Sequence, residues 1–147
     1  MDPVERFDAY AAAFEIVVEK DDWSILEPFF TEDAIYEIFG GPPFEGRHDG
    51  RAAVFTYLEQ SLSGFDRRFD TRELEMLEGT LERDGAAWTR WRVTYRVADA
   101  PPLVVNGEEI ADFEGDRIRR LVDHFAEGAG AAALSWLGEH GAKLRPA

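Results

Sequence analysis

Apolar residues recur with a helical period in the first part of the chain. Asp2 and Pro3 form a helix start signal, because an aspartate caps free amides and proline suits the first helical position. The large apolar residues that then recur every three or four positions are Phe7, Tyr10, Phe14 and Val17. This spacing predicts a helix with an aromatic stripe that ends near Lys20. Shorter helical patterns follow at residues 23–30 and after Asp49.

A hairpin is predicted in the middle of the chain. Asp84-Gly85 is a strong two-residue turn signal between residues 71–83 and 86–97. A tight turn there would place Leu74 opposite Tyr95. Alternation of side chains then gives this hairpin one largely apolar face. That face consists of Leu74, Met76, Trp91, Val93, Tyr95 and Val97.

Further strands lie on both sides of this hairpin. Residues 34–39 form a strand pattern that stops at a Gly-Gly-Pro-Pro corner, residues 40–43. A second hairpin joins residues 103–113 to 117–125, and a last helix covers residues 131–140. N-terminal helices followed by a meandering sheet predict the α+β class. A strongly curved sheet wrapped round helices would leave a concave space between the two layers.

Length, charge and composition narrow the functional classes. The 147 residues predict one domain, residues 1–147. The chain has 16 Lys and Arg against 30 Asp and Glu, which argues against partners such as nucleic acid or an anionic membrane surface. It has no Cys, so disulfides and thiolate sites are excluded. It also lacks a signal-peptide pattern and any apolar run of about 20 residues, so we expect a cytoplasmic protein. The histidines show no metal spacing, and we expect neither metal nor cofactor.

Three phrases in this order resemble the SnoaL-like part of the nuclear transport factor 2-like superfamily: DDWSILEPFFTEDAIYE, GGPPFEGR and FEGDRIRRLVDHF. The resemblance spans residues 10–125. The enzymes of this superfamily include ketosteroid isomerase, polyketide cyclases and limonene epoxide hydrolase. It implies a cone-shaped α+β barrel, in which helices pack on a curved mixed or antiparallel sheet around an apolar cavity. It also implies a homodimer, which we place on the outer sheet face that carries Arg90 and Arg92. Because this fold hosts both enzymes and non-catalytic binders, function depends on the site.

The resemblance also implies positions for the site residues. The base of ketosteroid isomerase falls on Glu37 or, more closely, on Ile38, which would remove it. Its second, protonated acid falls on Glu109, and the catalytic aspartate of limonene epoxide hydrolase falls on Asp123. Phe14 and Tyr57 take the positions of two cavity-lining tyrosines. The other candidates for contact with a ligand are Tyr10, Tyr36, Trp91, His124 and Phe125.

The register of the second hairpin decides which acids share a face. A tight turn would pair Glu109 with residue 122 and place His124 on the face of Glu109. A one-residue bulge would pair Glu109 with Leu121 and bring Asp123 to that face, since one slip exchanges the faces. The family phrase favours the bulge. Two acids on one apolar wall do not both ionise easily, so one would keep its proton for acid–base chemistry.

The predicted function is acid–base chemistry, of isomerase, dehydratase or cyclase type, on a small apolar carbonyl compound. Glu109 and Asp123 would be acid and base, with a tyrosine donating to the substrate oxygen. The alternative is a non-catalytic protein that binds an apolar metabolite, because Ile38 and Thr94 replace acids of the two known enzymes. The C-terminal helix either closes the cavity with Trp136 or docks on the outer surface.

Overall fold

The computed structural model describes residues 1–147 and contains three α-helices, several short 3₁₀ turns and a mixed seven-stranded sheet. The α-helices are α1 (Pro3–Lys20), α2 (Arg51–Gly64) and α3 (Ala129–His140). The strands are β1 (Phe30–Phe39), β2 (Gly46–Asp49), β3 (Thr71–Met76), β4 (Leu81–Arg83), β5 (Ala86–Arg96), β6 (Leu103–Glu114) and β7 (Arg117–Phe125). The predicted α+β class is confirmed.

The sheet is curled but not closed into a barrel. Its strand order is β2-β1-β7-β6-β5-β3, and β4 pairs with β5 alone. The end strands β2 and β3 do not pair with each other. Neighbouring strands are antiparallel except β1 and β7, which run parallel. The segment between these two strands contains α2 and the strands β2 to β6. The pairing of β1 with β7 therefore joins parts of the chain that are distant in sequence.

The N-terminal elements form largely as predicted, with two corrections. The carboxylate of Asp2 accepts a hydrogen bond from the Val4 amide at 2.9 Å and caps α1. Instead of one helix at residues 23–30, two 3₁₀ turns precede β1, since Pro28 lacks an amide for a continuous helix. The helix predicted after Asp49 begins at Arg51, because Asp49 lies in β2 opposite Ile35 and Gly50 takes the N-cap position.

The first hairpin has the predicted faces but not the predicted register. The tight Asp84-Gly85 turn sets the pairing of β4 with β5, and an irregular segment at residues 77–80 then separates β4 from β3. As a result Leu74 lies opposite Val93 rather than Tyr95. The shift is an even number of residues, so the predicted apolar face is retained.

The Gly-Gly-Pro-Pro corner is wedged between α3 and the end of β7. A side chain on Gly130, in the first turn of α3, would meet the carbonyl oxygen of Gly40 at 2.9 Å and would clash with that of Pro42. A side chain on Gly40 would meet Phe125 at 2.6 Å. Beyond the corner, the ring of Phe44 stacks on Phe125 with centroids 4.2 Å apart.

Two apolar clusters flank the concave face of the sheet. One joins α1, α2 and β1 and includes Phe7, Val17 and Phe30, all nearly inaccessible. The other joins α3 to β5 and β6 through Trp136, whose indole donates to the Pro101 carbonyl at 2.9 Å. Trp136 therefore docks α3 on the end of the sheet and is not among the residues that line the cavity. None of the helices combines the length and apolar character needed to cross a membrane.

Candidate active site

A cavity of about 160 Å³ lies between the helices and the concave face of the sheet. Of its 23 lining residues 17 are hydrophobic, and one side is partly open to solvent. An engineered cavity of roughly 150 Å³ binds benzene, so this volume suits about one ring. The apolar hairpin face forms its floor through Leu74, Met76, Trp91, Val93 and Tyr95.

Glu109 and Asp123 lie directly opposite each other on β6 and β7, and both line the cavity. Asp123 is 6% exposed, whereas Glu109 keeps a larger accessible surface. Side chains directly opposite in an antiparallel pair have Cβ atoms about 4.5–5.5 Å apart, so the two carboxyl groups are neighbours. The sheet thus brings together the two acids predicted as catalytic.

A bulge in β7 produces this arrangement. Near the turn, Phe113 pairs with Ile118 as a tight turn requires, but Asp112 pairs with Arg120. Arg119 is therefore the extra residue, and it lies in β7 rather than β6. Glu109 pairs with Asp123 and not with residue 122 or 121, although the face assigned to Asp123 is the one the bulge prediction gave.

Only one oxygen of the Asp123 carboxylate has a hydrogen-bond partner of standard geometry. The Tyr36 hydroxyl donates a short hydrogen bond to Oδ2 of Asp123. Oδ1 of Asp123 is buried and has no hydrogen-bond partner of standard geometry. A buried acceptor without a partner is unfavourable, so Oδ1 is the atom best placed to receive a proton or a donor from a ligand.

The two acids differ in how strongly their pKa values are raised. Burial and the adjacent Asp123 raise the pKa of Glu109 well above its usual range. Burial also raises the pKa of Asp123, but polar contacts with Glu109, Tyr36 and Trp91 hold that rise back. The pair therefore favours a protonated Glu109 beside an ionised Asp123.

The tyrosines of the cavity remain protonated donors. Burial, followed by the charges of Asp123 and Glu109, raises the pKa of Tyr10 and Tyr36 well above the usual range. The Tyr10 hydroxyl makes no hydrogen bond within the protein, so it is available to a ligand. Tyr57 stacks on His48 at 3.9 Å, and burial lowers the pKa of that histidine.

The other predicted contact residues lie in the wall, with one exception. The cavity is lined by Phe14, Ile38, Trp91 and Phe125. His124 is not a lining residue; it is exposed and stacks on Phe39 with centroids 5.0 Å apart. The bulge in β7 turns Asp123 inward and hence His124 outward, which corrects the expectation that His124 contacts the ligand.

The sequence profile described as a SnoaL-like domain matches residues 8–121. The chain belongs to the SnoaL-like family. This match covers most of the sheet and confirms the resemblance. A comparison with curated protein sequences finds no match.

Solved structures show the same fold at low sequence identity. TerC, co-crystallized with polyporic acid, is 13% identical with a TM-score of 0.69, over 94% of this chain and 99% of that one. An NTF2-like protein of unknown function from Mesorhizobium loti is 21% identical with a TM-score of 0.59, over 86% and 95% of the chains. A candidate ketosteroid isomerase from Kribbella flavida is 19% identical with a TM-score of 0.59, over 86% and 82%.

This SnoaL-like domain also has a polar cluster in its cavity that the sequence analysis missed. Nε of Arg72 donates to Asp66 at 3.0 Å, and Nη1 donates to Glu15 at 2.7 Å. The Tyr95 hydroxyl donates to Asp66 at 2.9 Å. Charged residues at these positions are typical of a solvated surface, but Arg72 shares its strand face with Leu74, and that parity was the signal for an inward guanidinium.

The charges of this cluster stabilise one another. Burial lowers the pKa of Arg72, but the carboxylates of Asp66 and Glu15 outweigh that effect and raise it. Burial raises the pKa of Asp66, while Arg72 and Tyr95 favour its ionised form. Neither here nor elsewhere in the protein is a group of three or more His, Asp or Glu side chains arranged to hold a metal ion.

Proposed function

We propose that this SnoaL-like domain is an enzyme that transfers a proton on a small, mainly apolar carbonyl compound. The observation that carries the proposal is the Glu109–Asp123 pair inside an apolar cavity, with Tyr36 bound to one carboxylate. Isomerisation, dehydration and cyclisation share a first step in which a carbon next to the carbonyl loses a proton. The geometry serves that shared step.

In this mechanism Asp123 is the base and Glu109 the acid. Oδ1 of Asp123 takes the proton from the carbon next to the carbonyl, and the electron pair of that C–H bond moves to form an enolate. Protonated Glu109 and the free Tyr10 hydroxyl donate hydrogen bonds to the oxygen that gains charge. Returning the proton to a different carbon gives the isomer, and protonation of a departing hydroxyl by Glu109 gives a dehydration.

Hydrogen–deuterium exchange tests the shared step without knowledge of the natural substrate. We expect the protein to accelerate deuterium incorporation next to the carbonyl of 4-phenylbutan-2-one in D₂O, followed by NMR. Asp123→Asn removes the base and should lower the exchange rate by about 10²- to 10⁴-fold. Glu109→Gln should lower it by a smaller factor, because the amide still donates a hydrogen bond to the enolate oxygen but is a weaker donor than a protonated carboxyl group.

A matched substitution on the outer face of the sheet provides the control. Glu108 precedes Glu109 on the same strand. It accepts a hydrogen bond from the indole of Trp88 and does not line the cavity. Glu108→Gln should therefore leave the exchange rate unchanged. Wild-type exchange rates in the double variant Glu109→Gln, Asp123→Asn would refute the proposed chemistry.

A non-catalytic binding protein is the second candidate. It is favoured by Ile38, which is 2% exposed and occupies the position that the resemblance assigns to the base of ketosteroid isomerase. In this case a ligand that co-purifies with the protein would be recovered unchanged after prolonged incubation, as judged by mass spectrometry. Conversion of that ligand by the wild type, and not by Asp123→Asn, would exclude this candidate.

A further inference from the structure

The cluster of Arg72, Asp66, Glu15 and Tyr95, here called the Arg72 cluster, lies in the same cavity as the carboxyl pair but takes no part in the proposed proton transfer. We propose that the Arg72 cluster binds a hydroxyl group of an uncharged ligand. The ligand would then carry a carbonyl at the carboxyl pair, a hydroxyl at the Arg72 cluster and an apolar part between them. This rests on the proposed function in taking the cavity as the ligand site and in placing the carbonyl at the carboxyl pair.

The free atoms of the cluster match a hydroxyl group. The hydrogen bonds of Arg72 use Nε and Nη1, so Nη2 is left without a partner. Glu15 accepts through Oε1, while its Oε2 is buried and has no partner. A guanidinium donor and a carboxylate acceptor therefore lie side by side at the cavity wall. A hydroxyl both accepts and donates, whereas an ether only accepts.

The charges of the cluster disfavour an anionic ligand. A buried arginine in a ligand cavity usually indicates a carboxylate or phosphate partner. Here the guanidinium already faces the carboxylates of Asp66 and Glu15, and its side chain and that of Asp66 are only 14% and 11% exposed. A third negative charge would be repelled in this poorly solvated position. The cluster thus selects a neutral polar group.

The two polar sites are separated by apolar wall. Along β5, Thr89 lies opposite Glu109 and Tyr95 lies opposite Arg72. Six residue positions along β5 separate these two pairs, so the two polar sites lie toward opposite ends of the inner face. Trp91 and Val93 fill the inner face between them. This polar–apolar–polar pattern matches a ring or short chain with one oxygen function at each end.

Three related ketones test the inference by calorimetric titration: 4-(4-hydroxyphenyl)butan-2-one, its methoxy analogue and 4-(3-oxobutyl)benzoate. They share a ring and a ketone chain and differ in the group that would reach the Arg72 cluster. We expect the wild type to bind the hydroxyl compound about tenfold more tightly than the methoxy compound, as for a hydrogen bond to a charged group. The benzoate should bind most weakly.

Variants locate the preference. Arg72→Met should weaken the binding of both the hydroxyl and the methoxy compound, because both accept a hydrogen bond from Nη2, but it also leaves Asp66 without its cation and can unfold the protein. Glu15→Gln avoids that problem, because the Glu15 side chain is 41% exposed. It should reduce the preference for hydroxyl over methoxy and weaken the discrimination against the benzoate. Arg90→Met, on the outer face and paired with Glu78, is the control that should change neither.

The outcomes separate this inference from the proposed chemistry. Asp123→Asn should keep the preference for the hydroxyl compound even when deuterium exchange is lost. Equal affinity of the wild type for the hydroxyl and methoxy compounds, or no binding of the hydroxyl compound, would overturn the inference. Tightest binding of the benzoate would do the same, since it would identify the Arg72 cluster as an anion site.

Discussion

Replacing Tyr36 by phenylalanine tests how the protein holds a buried carboxylate. Tyr36 and Asp123 are each 6% exposed, and the hydroxyl of Tyr36 donates to Oδ2 of Asp123. A hydrogen bond to a charged group contributes about 1.5–3 kcal/mol, so Tyr36→Phe should lower the free energy of unfolding by about that amount when Asp123 is ionised. Loss of the ring volume plays no part, because phenylalanine keeps it.

The sign of the pH dependence follows from the raised pKa of Asp123. Its folded pKa lies above the unfolded value because of burial, so its contribution to stability is full at low pH and is lost as the pH rises through the folded pKa. Tyr36 offsets part of that loss by binding the ionised form. Tyr36→Phe should therefore cost more stability above this pKa than below it.

Urea unfolding at pH 4 and pH 8 measures both effects. Tyr10→Phe is the matched control, because Tyr10 is equally buried but its hydroxyl makes no hydrogen bond within the protein. Tyr10→Phe should change stability by less than about 0.5 kcal/mol at either pH. If Tyr36→Phe behaved like Tyr10→Phe at pH 8, the hydrogen bond to Asp123 would not stabilise the fold and the assignment of an ionised Asp123 would be wrong.

Two further predictions concern the sheet. A side chain on Gly107 would clash with the Trp91 indole and meet the His124 carbonyl oxygen at 2.8 Å. Gly107→Ala should therefore lower the free energy of unfolding by about 1–3 kcal/mol. An unchanged midpoint of urea unfolding would contradict this prediction. The predicted homodimer remains a proposal: the outer face exposes Phe39 and Val104, at 40% and 45%, beside Arg92. Sedimentation should therefore show a dimer that Val104→Glu dissociates, whereas a monomeric wild type at high concentration would refute it.

Faces were more predictable from the sequence than registers. The alternation of side chains assigns Leu74 and Trp91 to the inner face whatever the strand offset, provided that offset is even, and the structure keeps that face. The offset itself depends on residues 77–80, whose irregular path has no signal comparable to Asp84-Gly85. The parallel pairing of β1 with β7 joins distant segments and is set by tertiary packing.

The residues of the candidate site were likewise predicted only in part from the sequence. Glu109 and Asp123 were predicted because the resemblance places known catalytic acids at these positions, and the family phrase favoured the face on which Asp123 lies. The position of the extra residue, Arg119 in β7, was missed because a bulge leaves little trace in composition. Arg72 was missed because a charged residue near a strand end resembles a surface residue until its partners, here Asp66, are known.

The close contact of Gly130 with the Gly-Gly-Pro-Pro corner has a consequence for how distant substitutions act. If the corner moved away from α3, it would displace Phe125, which lies against Gly40. Phe44 would move as well, because its ring stacks on Phe125, and both residues line the cavity. Any change that tilts the C-terminal helix would thus be transmitted to the shape of the ligand chamber. Affinity could then vary among relatives whose chamber residues are identical, with the cause located in a helix that never touches the ligand.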